Sequence, residues 1–186
     1  MGTTDNFDAP DATDFGLSDQ VPIKDASTSR AGYATGSYML AGLSEAVQVT
    51  AGATTLTVTR ATHGGRVMAL ANTAPIAVTL PQATGTGAMY TFQIQQAATG
   101  TSSTIKVANG TDVMQGVSWV LTTSSANVIG YATSATSDTV SLNGTTLGGV
   151  AGDIIEIQDV KTGFFAVKIF CQATGSTATP FSATVS

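Results

Sequence analysis

Charge is scarce in this chain. Asp, Glu, Lys and Arg make up 10% of its 186 residues, against about 25% in ordinary soluble domains. There is one cysteine, one histidine and one tryptophan. A lone cysteine, Cys171, excludes an internal disulfide framework and a cysteine-based zinc site. No apolar run approaches the roughly 18 residues of a membrane-spanning helix. Residues 1–20 are acidic and polar, the reverse of the basic and then apolar order of a signal peptide, so the expectation is a protein made in the cytoplasm that binds no membrane.

Threonine (32 residues), serine, alanine and glycine fill the space that charge leaves. Such a composition is short of good helix formers and suits strands and turns. The net charge of −5 is unevenly placed. Residues 1–45 hold seven acids and two bases, and residues 46–186 hold five of each. Nucleic-acid binding calls for a basic stripe, so no nucleic-acid partner is expected.

Composition divides the chain near residue 46. The first part, 1–45, reads as an extended acidic arm with isolated apolar residues, interrupted by Pro10 and Pro22. A short helix is possible near 38–47, in "SYMLAGLSEAV" with Ser37 as N-cap. From residue 47 the hydrophobic period is two. "TTLTVT", "RVMALA", "IAVTLP", "AMYTFQIQQ", "STIKVA", "VSWVLTT", "NVIGYA", "DTVSLN", "DIIEIQDV" and "GFFAVKIFCQ" follow one another, mostly separated by Gly, Asn, Asp or Thr clusters. In "AMYTFQIQQ", Tyr90, Phe92 and Ile94 alternate with Thr91, Gln93 and Gln95, the pattern of a half-buried antiparallel strand. Asn109-Gly110 and Asn143-Gly144 are hairpin-type dipeptides. "VTLPQATGTGAMYTFQI" and "VSLNGTTLGGVAGDIIEIQ" read as two similar hairpins. The fold class expected for 46–186 is all-β, an antiparallel β-sandwich or a jelly-roll-like barrel.

Catalytic constellations do not emerge. His63 in "ATHGGRVM" evokes an esterase oxyanion loop, but no G-x-S-x-G elbow is present and one histidine cannot also serve as the base; a turn histidine is expected. Gly85-Thr86-Gly87 lacks the third glycine of a dinucleotide loop and reads as a turn. On a strand Asp153 and Asp159 share one face while Glu156 takes the other, so the three do not converge. Asp112 and Asp138 flank turns, where Asp bonds its own backbone. Trp119 and Cys171 are expected in the core. The chain is expected not to be an enzyme and to hold no cofactor and no dedicated metal.

The acidic opening "TTDNFDAPDATDFGLSDQ" places Asp5, Asp8, Asp11 and Asp14 at every third position, one side of a left-handed extended helix. This spacing does not match a calcium loop, whose ligands alternate and end in a bidentate Glu. Low hydrophobicity with one-sided charge predicts an arm that orders on a partner. Main-chain hydrogen bonds and the anchors Phe7, Phe15, Leu17, Tyr33 and Tyr38 would hold it there.

The segments "VTLP", "TGTGAMYTF", "NGTD" and "TSDTVSLNG", within "TLTVTRATHGGRVMALANTAPIAVTLPQATGTGAMYTFQI" and "ATSDTVSLNGTTLGGVAGDIIEIQDVKTGFFAV", carry a resemblance. Residues 54–186 resemble the head decoration, or cement, proteins of tailed bacteriophages. The resemblance implies a structural protein made in the host cytoplasm and bound to the exterior of the virion capsid. Its partner would be the major capsid protein, on the expanded lattice, and it would act as a homo-oligomer, commonly a trimer. A head- or tail-fibre component binding a host surface glycan is the alternative, and it requires exposed aromatics around Trp119 and Tyr131.

Overall fold

The computed structural model describes residues 53–185 in full and residues 20–24, 31–35 and 47–49 as strand backbone. The chain divides after Glu45 into two units. In the first, β1 (Gln20–Lys24) and β2 (Ala31–Thr35) pair antiparallel, with Pro22 opposite Tyr33. Of the expected arm residues, Tyr33 lies on β2, while Asp5, Phe7, Asp8, Asp11, Asp14, Phe15, Leu17 and Tyr38 lie outside the described residues. So does the helix considered near 38–47, except that Val47 begins a strand.

The second unit is a β-sandwich. Its strands are β3 (Val47–Val49), β4 (Thr55–Thr57), β5 (Val67–Leu70), β6 (Ala77–Thr79), β7 (Met89–Ile94), β8 (Ser103–Lys106) and β9 (Val113–Thr122). There follow β10 (Asn127–Ala132), β11 (Thr139–Leu142), β12 (Ile154–Lys161), β13 (Phe164–Ala173) and β14 (Phe181–Ser182). One turn of helix, α1 (Arg60–His63), precedes β5. The larger sheet has the order β10-β9-β13-β12-β7-β5-β3, and the smaller β14-β11-β8-β6-β4. All ten segments with period two contain a strand; most have one row of side chains to bury and one to leave in water, whereas in β10 both rows are largely exposed. In β13, Phe165, Val167, Ile169, Cys171 and Ala173 point inward without a break. They meet Tyr90 and Phe92 of β7, Ile155 and Ile157 of β12, and Val78, Ile105, Val140 and Leu142 of the smaller sheet in one core.

The sheets are mixed rather than antiparallel throughout. From β3 to β8 consecutive strands alternate between the two sheets, and each of β3 to β6 pairs parallel with the strand two places on. Val47, Met68 and Phe92 lie in register across the larger sheet, and Leu56, Val78 and Ile105 across the smaller. This half of the sandwich is a β-roll of three coils. These parallel pairs separate the fold from a jelly roll, whose strands are antiparallel. The second half adds antiparallel neighbours and one parallel pair, β9 with β13.

Two sequence expectations change accordingly. Asn109-Gly110 joins β8 to β9 and Asn143-Gly144 joins β11 to β12, each crossing between sheets. Neither is a hairpin; each asparagine oxygen instead accepts from main-chain N–H groups two to four residues on. The two similar stretches are likewise arches between sheets, β6 to β7 and β11 to β12. Strand periodicity reports burial on one face and is silent about which sheet supplies the next strand.

The parallel β9–β13 contact depends on Gly116. A Cβ there would stand 1.8 Å from the carbonyl oxygen of Val167. By contrast, Gly130 on β10 has no heavy atom within 4 Å of the place a Cβ would take. Gly116→Ala is expected to destabilise the fold by about 3 kcal/mol or more, the range of forced backbone displacement in a packed core. Gly130→Ala is expected to change stability by less than about 0.5 kcal/mol. Chemical denaturation of the two variants checks the contrast; comparable effects would place the close approach elsewhere.

Candidate functional site

Chain crossings between sheets leave backbone N–H groups that no ladder partner satisfies, and buried ones must find an acceptor. Four aspartates, each 2% exposed, supply it. Asp159, inward on β12, accepts from the main-chain N–H groups of Thr84, Gly85 and Thr86 and from the Thr86 hydroxyl, at 2.7–3.1 Å for the shorter contact of each. Gly85 can approach this closely because its φ of +77° and lack of a side chain clear the Lys161 backbone. Asp153 accepts from Gly149, Val150 and Gln172. Asp112 holds the N–H of Ala83 and the side-chain amide of Asn109. Asp138 holds Thr184 and Val185 near the end of the chain, and its neighbour's hydroxyl.

These contacts correct the expectation that Asp112 and Asp138 bond only their own turns; both reach segments distant in sequence. Asp153 and Asp159 do share the inward face, with Glu156 on the other. The four carboxylates are therefore fixed by peptide N–H groups, which makes them latches. Burial pushes the pKa of Asp159 up, but the hydrogen bonds from Thr86, Gly85 and Thr84 more than offset it and leave the carboxyl below its ordinary 3.8. For Asp153 burial outweighs the N–H groups of Gln172, Val150 and Gly149, and its pKa is raised.

His63 ends α1, buried, with Nδ1 3.0 Å from the main-chain nitrogen of Thr59. It serves the turn expected of it. Cys171 is buried as expected, 3.8 Å from the Ser118 hydroxyl. Burial, opposed by that hydroxyl and reinforced by the Asp153 charge, pushes its thiol up to about 11. The thiolate that nucleophilic or metal-binding chemistry needs is therefore disfavoured. Among the described residues no group of three His, Cys, Asp or Glu side chains is placed to hold a metal ion, and no helix is long and apolar enough to cross a membrane.

The outer face of the larger sheet differs from the rest of the surface. Trp119 is 40% exposed and lies outside the core in which it was expected. The reason is an inverted strand: toward its end β9 turns Ser118 and Thr122 inward with Val120, and Trp119 and Leu121 outward. Trp119 stacks on Phe170 of β13, ring centroids 4.9 Å apart and planes 15° from parallel. One row across the sheet reads Gly130, Trp119, Phe170, Ile154 and Gln93, and the next Val128, Leu121 and Gln172. A groove of about 300 Å³ lies between Trp119, Leu121, Val128, Phe170 and the Gly152–Asp153 turn. Tyr131, by contrast, is half-buried against the core, its hydroxyl 2.7 Å from that of Thr177.

No family model, no curated protein and no solved structure matches this chain. Sequence reasoning missed both the latches and the outward tryptophan. Asp159 carried a signal, an acid at an inward position of an otherwise apolar row. Trp119 carried one too, since "VSWVLTT" holds a large apolar set and a small polar set, and only the neighbouring strands decide which is buried.

The opposite shifts of Asp159 and Asp153 have opposite consequences for stability. The Asp159 contribution is complete above the unfolded pKa and is lost as pH falls through the lower folded value. That of Asp153 has the reverse sign, declining as pH rises through its raised folded value. Asp159→Asn is expected to cost about 2–3 kcal/mol at neutral pH. The deficit should shrink below about pH 4, where the parent loses the same charge. Urea midpoints of both proteins at neutral and acid pH check this; a deficit that did not narrow would remove Asp159 as a titrating latch.

Proposed function

We propose that the protein is a structural component of a phage virion, bound to the outside of the expanded capsid and reinforcing it. The observation that carries the reading is the inverted strand β9, which turns Trp119 and Leu121 outward on a sandwich otherwise packed and internally hydrogen-bonded. Large apolar side chains left in water on such a scaffold make a surface fit to be covered within an assembly, which is what the observation supports. The resemblance of residues 54–186 to capsid cement proteins supports the same reading. The partner is the major capsid protein, and the protein acts as a homo-oligomer, a trimer by the resemblance. The role needs no catalytic step, cofactor, nucleic acid or membrane. Many copies on one shell make a modest affinity per copy sufficient.

Exposure of Trp119 and Phe170 also favours the second reading, a fibre component that stacks these rings on a host glycan. Against it, the pair is flanked by Leu121, Val128 and Ile154, which offer nothing to sugar hydroxyls, while Gln172 and Lys168 are the nearby polar side chains on β13. Sedimentation of the full-length protein with expanded shells, with and without a chelator, tests the proposal. The protein is expected to travel with expanded shells. Loss of binding on chelation would give the acidic residues 5–14 a calcium-dependent role. Absence from the shell pellet, together with retention on host polysaccharide, would overturn capsid decoration in favour of glycan binding.

A further inference from the structure

Among the described residues, no strand pairs with the outer edge of β10. Edge strands present unpaired N–H and C=O groups, and proteins that stay monomeric blunt them with Lys, Pro, bulges or a covering loop. Here the sequence from Val113 to Ser137, which includes all of β9 and β10, contains no charged residue, no histidine and no proline. β10 stands at the end of the larger sheet. Val128 on its outer face is 63% exposed, and Ile129, on the opposite face, 39%. β10, the most exposed strand whose side chains are described, is therefore apolar on both faces and uncharged along its length.

The adjoining outer face completes the surface. Trp119, Phe170, Leu121, Val128 and Ile154 form its apolar centre. Lys168, Glu156, Gln172 and Gln93 lie around it. An apolar, aromatic centre poor in charge within a polar rim is the anatomy of a protein–protein interface. Phe170 covers one side of the Trp119 ring. On the β10 side the neighbour is Gly130, over which nothing stands within 4 Å. A strand-interior glycine beside an exposed aromatic leaves room for another chain to approach closely.

We propose that copies of this chain meet through the outer face of β9, β10 and β13, with β10 contributing its open edge. Charge selects the occupant. A partner recognised by charge would find none between Val113 and Ser137. A second copy brings a matching uncharged surface, and the two sandwiches, with five acids and five bases each in residues 46–186, approach without net repulsion. Area is consistent with this. At 150–250 Å² per buried aromatic, the partly exposed rings and their aliphatic neighbours offer roughly 400 Å², about half the ~800 Å² per partner of a stable interface. The edge of β10 and the polar rim provide the remainder. The inference gives the assembly reading its self-contact and rests on that reading for its setting only, since it is measured on the protein alone, without shells.

The single tryptophan makes the surface its own reporter. Sedimentation velocity of the full-length protein is expected to give a whole multiple of 18.7 kDa, and the Trp119 emission should move to the blue as concentration rises through association. Val128→Lys, which supplies the charge the edge lacks, and Phe170→Glu should each weaken association at least about tenfold while keeping the far-ultraviolet signal of the folded parent, with any fall in melting temperature following the lost association. Val160→Lys, an equally apolar surface change elsewhere on β12, should leave the mass unchanged. A monomeric parent at every accessible concentration would overturn the proposal. So would an oligomer whose mass survives Val128→Lys and Phe170→Glu in folded protein. A monomer whose Trp119 emission responds to host polysaccharide would also overturn it and assign the face to glycan. Shell binding by a monomer would sink this inference and leave capsid decoration standing.

Discussion

A chain that shuttles between two sheets must hide the backbone of each crossing. That constraint shapes this sandwich more than any single contact. A hairpin satisfies its own N–H groups by the ladder it closes, whereas an arch from one sheet to the other leaves them facing the interior. Asp159 takes those of Thr84, Gly85 and Thr86, Asp112 that of Ala83, and Asp153 those of Gly149 and Val150. A carboxylate suits the task because it accepts at two oxygens and has no donor to satisfy in turn. Among the described residues, no buried side-chain nitrogen or oxygen is left without a partner.

This use of acids also determines what the surface looks like. Of the five acids in residues 46–186, Asp112, Asp138, Asp153 and Asp159 are buried, and Glu156 alone remains partly exposed. The charge count of a neutral domain therefore conceals an exterior nearly without carboxylates. A poorly charged exterior gives little colloidal protection to a free protein. For the sandwich surface the cost on meeting another surface is small, because Glu156 is the one carboxylate of residues 46–186 left partly exposed to be stripped of water.

Period-two patterning was enough to locate ten strands, since alternation reports directly which residues have a core to face. It was not enough to connect them. "NGTD" and "NGTT" carry the dipeptides of tight hairpins, yet both join strands in different sheets, and parallel pairing within the roll left no local mark. Asp159 and Trp119 show why the site was harder to read than the fold. Each breaks the binary pattern, one by placing an acid inside and the other by placing the largest apolar side chain outside. Local propensity assigns such residues to the wrong face, because the decisive neighbours, Gly85 and Thr86 for one and Phe170 and Gly130 for the other, are brought in from distant segments or from across a hairpin.

The two violations differ in kind. An inward aspartate with three or four donors is repaid within the fold by the arch it fixes, so its exception to the pattern is closed internally. The outward Trp119 and Leu121 have no such return among the described residues. Ser118 and Thr122 occupy the interior in their place, and the exposed rings gain only each other. Exchanging apolar for small polar residues in the core sacrifices burial that a free sandwich could have kept. A strand built this way makes thermodynamic sense when its outer face is buried in turn, by a surface that the described residues do not supply.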